Sequence, residues 1–152
     1  MTIELNFSVL CNEDLSPSDA HLREAALEAA SRAYAPYSHF NVGAAVALAD
    51  GNIVTGNNQE NIAYPSGLCA ERVALFAAGA SYPDTPVTAI AIIAVSNGVI
   101  QDSVSPCGVC RQTLIETQTR YKTPIKTLMC GANQTIISHS ATDLLPLCFR
   151  IP

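Results

Sequence analysis

The sequence has no tryptophan, and only 8 of its 152 residues are Lys or Arg, against 13 Asp or Glu. A net charge of −5 with no run of basic residues excludes an extended cationic channel, so no nucleic acid polymer is expected as a partner. Aromatic residues are scarce too, at 6%, too few to pave a surface for stacked bases. Long apolar runs are missing: Ala89 to Val95 is the longest, far short of the ~20 residues that span a bilayer. No membrane helix is expected. The opening MTIELNFSVL carries Glu4 and no basic stretch, which argues against a cleaved secretory leader and for a cytoplasmic protein. Repeats, linkers and low-complexity segments are also lacking. The length fits one domain over residues 1–152, with residues 1–15 a possible arm or extra strand.

Apolar residues are plentiful. At 49% hydrophobic and 14% charged, the chain is more apolar than a small monomer needs to fill its own core, which points to a buried subunit contact. Six cysteines stand at positions 11, 69, 107, 110, 130 and 148. In a reducing cytosol, clustered thiols more often bind metal or do redox chemistry than form structural bridges.

Ser16-Pro17-Ser18-Asp19 offers an N-cap, a proline at the first helical position and an acid three residues after the cap. Leu22, Ala26, Ala29 and Ala33 then share one helical face, with the helix ending before Pro36. Residues 40–50 and 52–57 flank Asp50-Gly51 and predict an antiparallel hairpin. Leu68 to Gly79 predicts a helix that begins near Cys69 and ends at its glycine. Thr88 to Val95 has no polar relief beyond its first residue, as expected of a central strand covered on both faces. Cys107 to Thr119 predicts another helix opened by Pro106, followed by strands over 126–130 and 134–138 and a helical turn over 142–145. The sum is an α/β fold, a mixed five-stranded sheet with helices on both faces.

Cys69 then begins one helix, while Cys107 and Cys110 lie on one face of the first turn of another. Two positive helix ends could point three sulfurs at one place and favour the thiolates that bind zinc. Structural zinc usually takes four protein ligands, and catalytic zinc keeps three with a position for water. Glu71, two residues after Cys69, is the candidate proton shuttle beside that water. Three thiolates overcompensate a divalent cation, so Arg72 and Arg111 are candidates for hydrogen bonds that withdraw charge from sulfur. Cys11, Cys130 and Cys148 have no motif around them and read as incidental thiols; His39 reads as a loop residue.

Cys69-Ala70-Glu71-Arg72 together with Ser105-Pro106-Cys107-Gly108-Val109-Cys110-Arg111-Gln112 resembles the zinc-dependent cytidine deaminase family in its small three-cysteine form. The resemblance runs from about Leu22 to Phe149. Ala35-Pro36-Tyr37-Ser38-His39-Phe40-Asn41-Val42-Gly43-Ala44-Ala45 is similar to the family's entry into its first strand, Asn58-Gln59-Glu60-Asn61 to its N-x-E-N, and Leu144-Leu145-Pro146 with Phe149 to its closing motif. Val73, Gln59 and a tail of three residues after Phe149 depart from many members.

The resemblance implies a three-layer α/β/α fold and one Zn2+ per subunit held by Cys69, Cys107 and Cys110. It implies hydrolysis of cytidine and 2′-deoxycytidine to uridine and 2′-deoxyuridine plus ammonia, with a zinc-held hydroxide attacking C4 and Glu71 moving the protons. By the same resemblance Asn58 and Glu60 contact the ribose, Phe40 packs on the pyrimidine, and Ala70 and Ser105 offer main-chain contacts to the base. Tyr64 and Phe149 approach a neighbouring subunit's pocket, and the assembly is a homotetramer. Two other readings compete. One is a deaminase of blasticidin S, which shares both cysteine motifs; the other is a structural zinc or thiol-redox protein in which Cys107 and Cys110 cycle to a disulfide and Glu71 is idle.

Overall fold

The computed structural model describes residues 1–151. Its strands are β1 (Phe7–Cys11), β2 (Phe40–Leu48), β3 (Ile53–Asn57), β4 (Val87–Ser96), β5 (Val99–Ile100), β6 (Lys126–Cys130) and β7 (Gln134–Ser138). The helices are α1 (Pro17–Ala30), α2 (Ala70–Ser81), α3 (Gly108–Tyr121) and the short α4 (Ala141–Leu144). The strands form one mixed sheet in the order β1-β7-β6-β4-β2-β3, with β5 paired to β4 beyond the end of β6.

The sheet therefore has seven strands where the sequence predicts five. One addition is β1, which lies antiparallel to β7 and lengthens the sheet edge. The other is β5, a two-residue return made possible by Asn97 (φ 51°) and Gly98 (φ 75°), whose left-handed conformations suit a tight hairpin. Two helix ends also differ. Ser31 turns the chain out of α1 before Ala33, with its hydroxyl donating to the carbonyl of Glu28 at 2.6 Å. Gly79 does not stop α2, which continues to Ser81.

Alternation along the strands divides the core into two layers. Ala44, Val46, Leu48, Ile90 and Ile92 pack with α2, α3 and α4 on one face, while Ala45, Ala89, Ala91 and Ile93 pack with Leu22, Ala26 and Ala30 of α1 on the other. This is the expected three-layer α/β/α arrangement, with β4 buried on both sides. Two glycines allow the helices to come close. A Cβ at Gly43 would lie 1.9 Å from the Ala26 carbonyl oxygen, and one at Gly56 would lie 2.4 Å from the Ala74 nitrogen. Gly56 thus sets how near the N-terminal half of α2 sits to β3. Antiparallel register brings Phe40 opposite Ser96 and Gly43 opposite Asn57, so the start of β2 and the ends of β3 and β4 share one rim of the sheet.

Candidate active site

The chain leaves that rim at Asn58 and is held on both sides. The Tyr34 N–H donates to the Asn58 carbonyl at 3.0 Å, the Glu60 N–H donates to the Tyr34 carbonyl at 2.9 Å, and Gln59 and Leu68 exchange two backbone bonds of 2.9 Å. The Asn58 amide clasps the start of β2: Oδ1 accepts from the Val42 N–H at 2.8 Å and Nδ2 donates to the Phe40 carbonyl at 2.9 Å. These bonds deliver Leu68, and hence Cys69, to the rim.

Cys69 is the N-cap of α2 and Cys107 the N-cap of α3; neither thiol caps its own helix. Both sulfurs instead turn toward Cys110, in the first turn of α3, and the three sulfurs lie within 4.8 Å of one another. The Cys69 and Cys107 sulfurs are 3.8 Å apart. Sulfurs at ~2.3 Å from a tetrahedral zinc stand roughly 3.8 Å from each other, so the donor set fits this cation. Its charge balance points the same way. The Cys110 thiol, and then Arg72, hold Cys69 down to about 5, whereas donation to Cys69 and burial push Cys110 well above the thiol range. Among themselves the sulfurs stabilise one thiolate at the expense of the next, a conflict that a divalent cation removes. A dithiol redox pair has no need of a third sulfur brought from a separate helix.

Glu71, the second residue of α2, is 5% exposed. Burial pushes its carboxyl up to about 7, and the negative Cys69 adds to the shift. Arg72 donates from Nη2 to the Cys69 sulfur at 3.8 Å; burial would lower its guanidinium, but hydrogen bonding to the Cys69 and Cys110 sulfurs outweighs it and raises the group. Arg111 departs from the expectation. Its Nε donates to the Pro106 carbonyl at 2.8 Å and its Nη1 to the Leu144 carbonyl at 2.9 Å, so it pins the loop before α3 to the end of α4, and Arg72 alone of the two arginines is bonded to sulfur.

A cavity of about 460 Å³ opens onto the cluster. Phe40, Val42, Ile92 and Val104 give it an apolar lining; Cys69, Ala70, Glu71, Ser105 and Cys107 line its reactive end; Ser38, Asn58 and Glu60 line its mouth. A second, more open hollow of about 550 Å³ continues outward past Asn58, Glu60, Tyr64 and Arg72. Tyr64 borders that outer hollow and is 78% exposed. Phe149 reaches neither; its ring is 81% exposed, while Gln112 holds its backbone, accepting from its N–H at 3.2 Å and donating to its carbonyl at 3.0 Å. His39, with φ 54° and an exposed side chain, is a turn residue. Sequence reasoning missed Ser38, Val42, Ile92 and Val104. Ser38 and Val42 sit inside a quoted motif but carry no signal of their own, and Val42, Ile92 and Val104 are indistinguishable in sequence from core.

Three cysteine ligands are one fewer than a structural zinc usually takes, and they are the donor number of a catalytic zinc site. A family model described as the cytidine and deoxycytidylate deaminase zinc-binding region matches residues 16–125, and the chain belongs to that family. Among curated relatives, a cytidine deaminase of Mycobacterium tuberculosis is 38% identical over 135 residues, covering 86% of this chain and 88% of its own. Another, of Halalkalibacterium halodurans, is 45% identical over 91 residues, covering 60% of this chain and 65% of that protein. Among solved structures, the cytidine deaminase of Burkholderia pseudomallei superposes with a TM-score of 0.72 at 39% identity, over 86% of this chain and 98% of that one. The M. tuberculosis enzyme superposes at 0.69 with 33% identity, over 90% and 100%.

Proposed function

We propose that the chain hydrolyses free cytidine and 2′-deoxycytidine to uridine and 2′-deoxyuridine, with one water consumed and one ammonia released. The observation that carries this reading is the buried Glu71 carboxylate, which shares a nucleoside-sized cavity with Cys69 and Cys107.

Cys69, Cys107 and Cys110 would hold the zinc, which when bound supplies a nucleophile at neutral pH by lowering the pKa of water from ~16 to ~7. The chain's own residues then do the rest. Glu71 accepts the water's proton, delivers it to ring nitrogen N3, and carries a second proton to the departing amine. Burial suits it to this task, because a carboxyl near neutrality can both take and give a proton. Arg72, donating to the Cys69 sulfur, withdraws charge that would otherwise weaken the metal as a Lewis acid. Phe40 and Val104 offer apolar surface to the pyrimidine, and Ala70 and Ser105, which line the same cavity, would offer main-chain contacts to the base edge. Asn58 and Glu60 face the sugar at the mouth, where a carboxylate accepts from a hydroxyl and repels a phosphate.

Exposed Ile62, Tyr64, Leu147, Phe149 and Ile151 are large apolar side chains that a second copy of the chain would cover, in keeping with a homotetramer whose sites are completed by neighbours. The test follows the loss of cytidine's ultraviolet absorbance with purified, zinc-loaded protein, beside 5′-CMP and blasticidin S, with light scattering on the same preparation. The expected result is turnover of cytidine and 2′-deoxycytidine, little of 5′-CMP, and a mass of about four chains. Turnover of blasticidin S with cytidine left intact would contradict the substrate assignment.

A further inference from the structure

Glu60 is gripped at the cavity mouth. Its Oε2 accepts from the backbone N–H of Tyr37 at 2.9 Å and of Ser38 at 3.3 Å, and its Oε1 accepts from the Ser38 hydroxyl. That same hydroxyl oxygen accepts the N–H of Phe40 at 3.1 Å. The positive φ of His39 makes this possible, reversing the chain so that Ser38 turns back to Glu60 while Phe40 enters β2. One atom therefore joins the carboxylate that faces a sugar to the residue whose ring faces a base.

We propose that Ser38 is a positioning residue for substrate: its hydroxyl fixes the Glu60 carboxylate against the start of β2, and so sets the distance between the sugar-reading and ring-reading parts of the cavity. The inference rests on the nucleoside reading above. Ser38 spends its only proton on Oε1, leaving further lone pairs on the carboxylate for a ligand hydroxyl. The donors around Glu60, the Ser38 hydroxyl foremost, hold its carboxyl below the ordinary carboxylate range. At neutral pH it is an acceptor only, suited to a sugar hydroxyl. Without the Ser38 hydroxyl, Oε1 loses its side-chain donor and the carboxylate is free to swing toward solvent.

A loop-closing serine and a substrate-positioning one differ in what they do to different ligands. The experiment compares wild type, Ser38→Ala, Ser38→Thr, Glu60→Gln and the Ser38→Ala/Glu60→Gln double variant. It reads kcat and KM for cytidine and the inhibition constant of 2′,3′-dideoxycytidine, with zinc content checked in each. Ser38→Ala is expected to raise KM for cytidine by about tenfold with kcat changed by no more than about twofold. Ser38→Thr restores it. The penalty should vanish for the dideoxy ligand, which lacks the 2′ and 3′ hydroxyls, and in the Glu60→Gln background. Equal penalties on both ligands, additivity with Glu60→Gln, or an unchanged KM overturns the inference. Wild-type protein separates the two levels: no turnover of cytidine at full zinc contradicts the nucleoside reading and removes this inference with it, whereas normal wild-type turnover with an unaffected Ser38→Ala KM contradicts the inference alone.

Discussion

Cys69, Cys107 and Cys110 share one cluster but differ in exposure, Cys69 being half-buried, Cys107 exposed and Cys110 buried. The thiol of Cys130, away from the cluster, is pushed up to about 11 by burial, so it stays neutral and unreactive through neutral pH. Cys11 is exposed. This ranking makes metal removal visible by alkylation. In zinc-loaded protein at about pH 8, iodoacetamide should add to Cys11 and spare Cys130 and the cluster. A chelator should then open Cys69 and Cys107, seen as added mass on the peptides that contain them. Alkylation of Cys107 at the same rate before and after chelation would contradict the ligand assignment. The cluster was legible in the sequence because C-A-E and P-C-x-x-C specify residue types at fixed helical offsets. Arg111 was not: its guanidinium goes to the Pro106 and Leu144 carbonyls, and the second of these is 33 residues away along the chain.

At the scale of elements, strands and helices with their own local signals appear where the sequence places them. Ser16 caps α1, accepting from the Asp19 N–H at 3.2 Å, and Asp50-Gly51 turns β2 into β3, with Gly51 at φ 91°. What the sequence hides depends on distant partners. Residues 7–11 become a strand only because β7 offers them an edge, and residues 58–60 are fixed by backbone bonds to Tyr34 and Leu68 that no periodicity reveals. The N-terminal half of α2 carries Glu71, and its seating depends on Gly56. Gly56→Ala should cost about 1–3 kcal/mol in chemical denaturation, because a Cβ meets the α2 backbone where nothing can flex away. Gly43→Ala, which pushes instead against α1, should destabilise at least as much. The two should separate in function: Gly56→Ala weakens zinc binding and lowers kcat in the protein that remains folded, and Gly43→Ala leaves both closer to wild type. Equal functional losses at equal stability would contradict the assignment of α2 as the element that aims the site.

On the scale of the whole molecule, scarce positive charge, a cavity of nucleoside size and a surface rich in exposed aliphatic and aromatic side chains agree with one another. The cavity mouth carries a carboxylate, and the only basic residue lining either hollow is Arg72, which is bonded to sulfur. Such a mouth is in keeping with the small, phosphate-free substrate proposed above. No helix among the described residues is long and apolar enough to cross a membrane; the exposed apolar groups are the surface on which the proposed contacts between chains rest. At the centre of the proposed function stands a division of labour in which three sulfurs would hold zinc and one carboxylate would move protons. It is tested most directly by measuring zinc per chain and cytidine turnover side by side in wild type and Glu71→Gln. The account predicts about one zinc per chain in both, with kcat lowered by at least about a hundredfold in the variant. Retained turnover in fully loaded Glu71→Gln would contradict it.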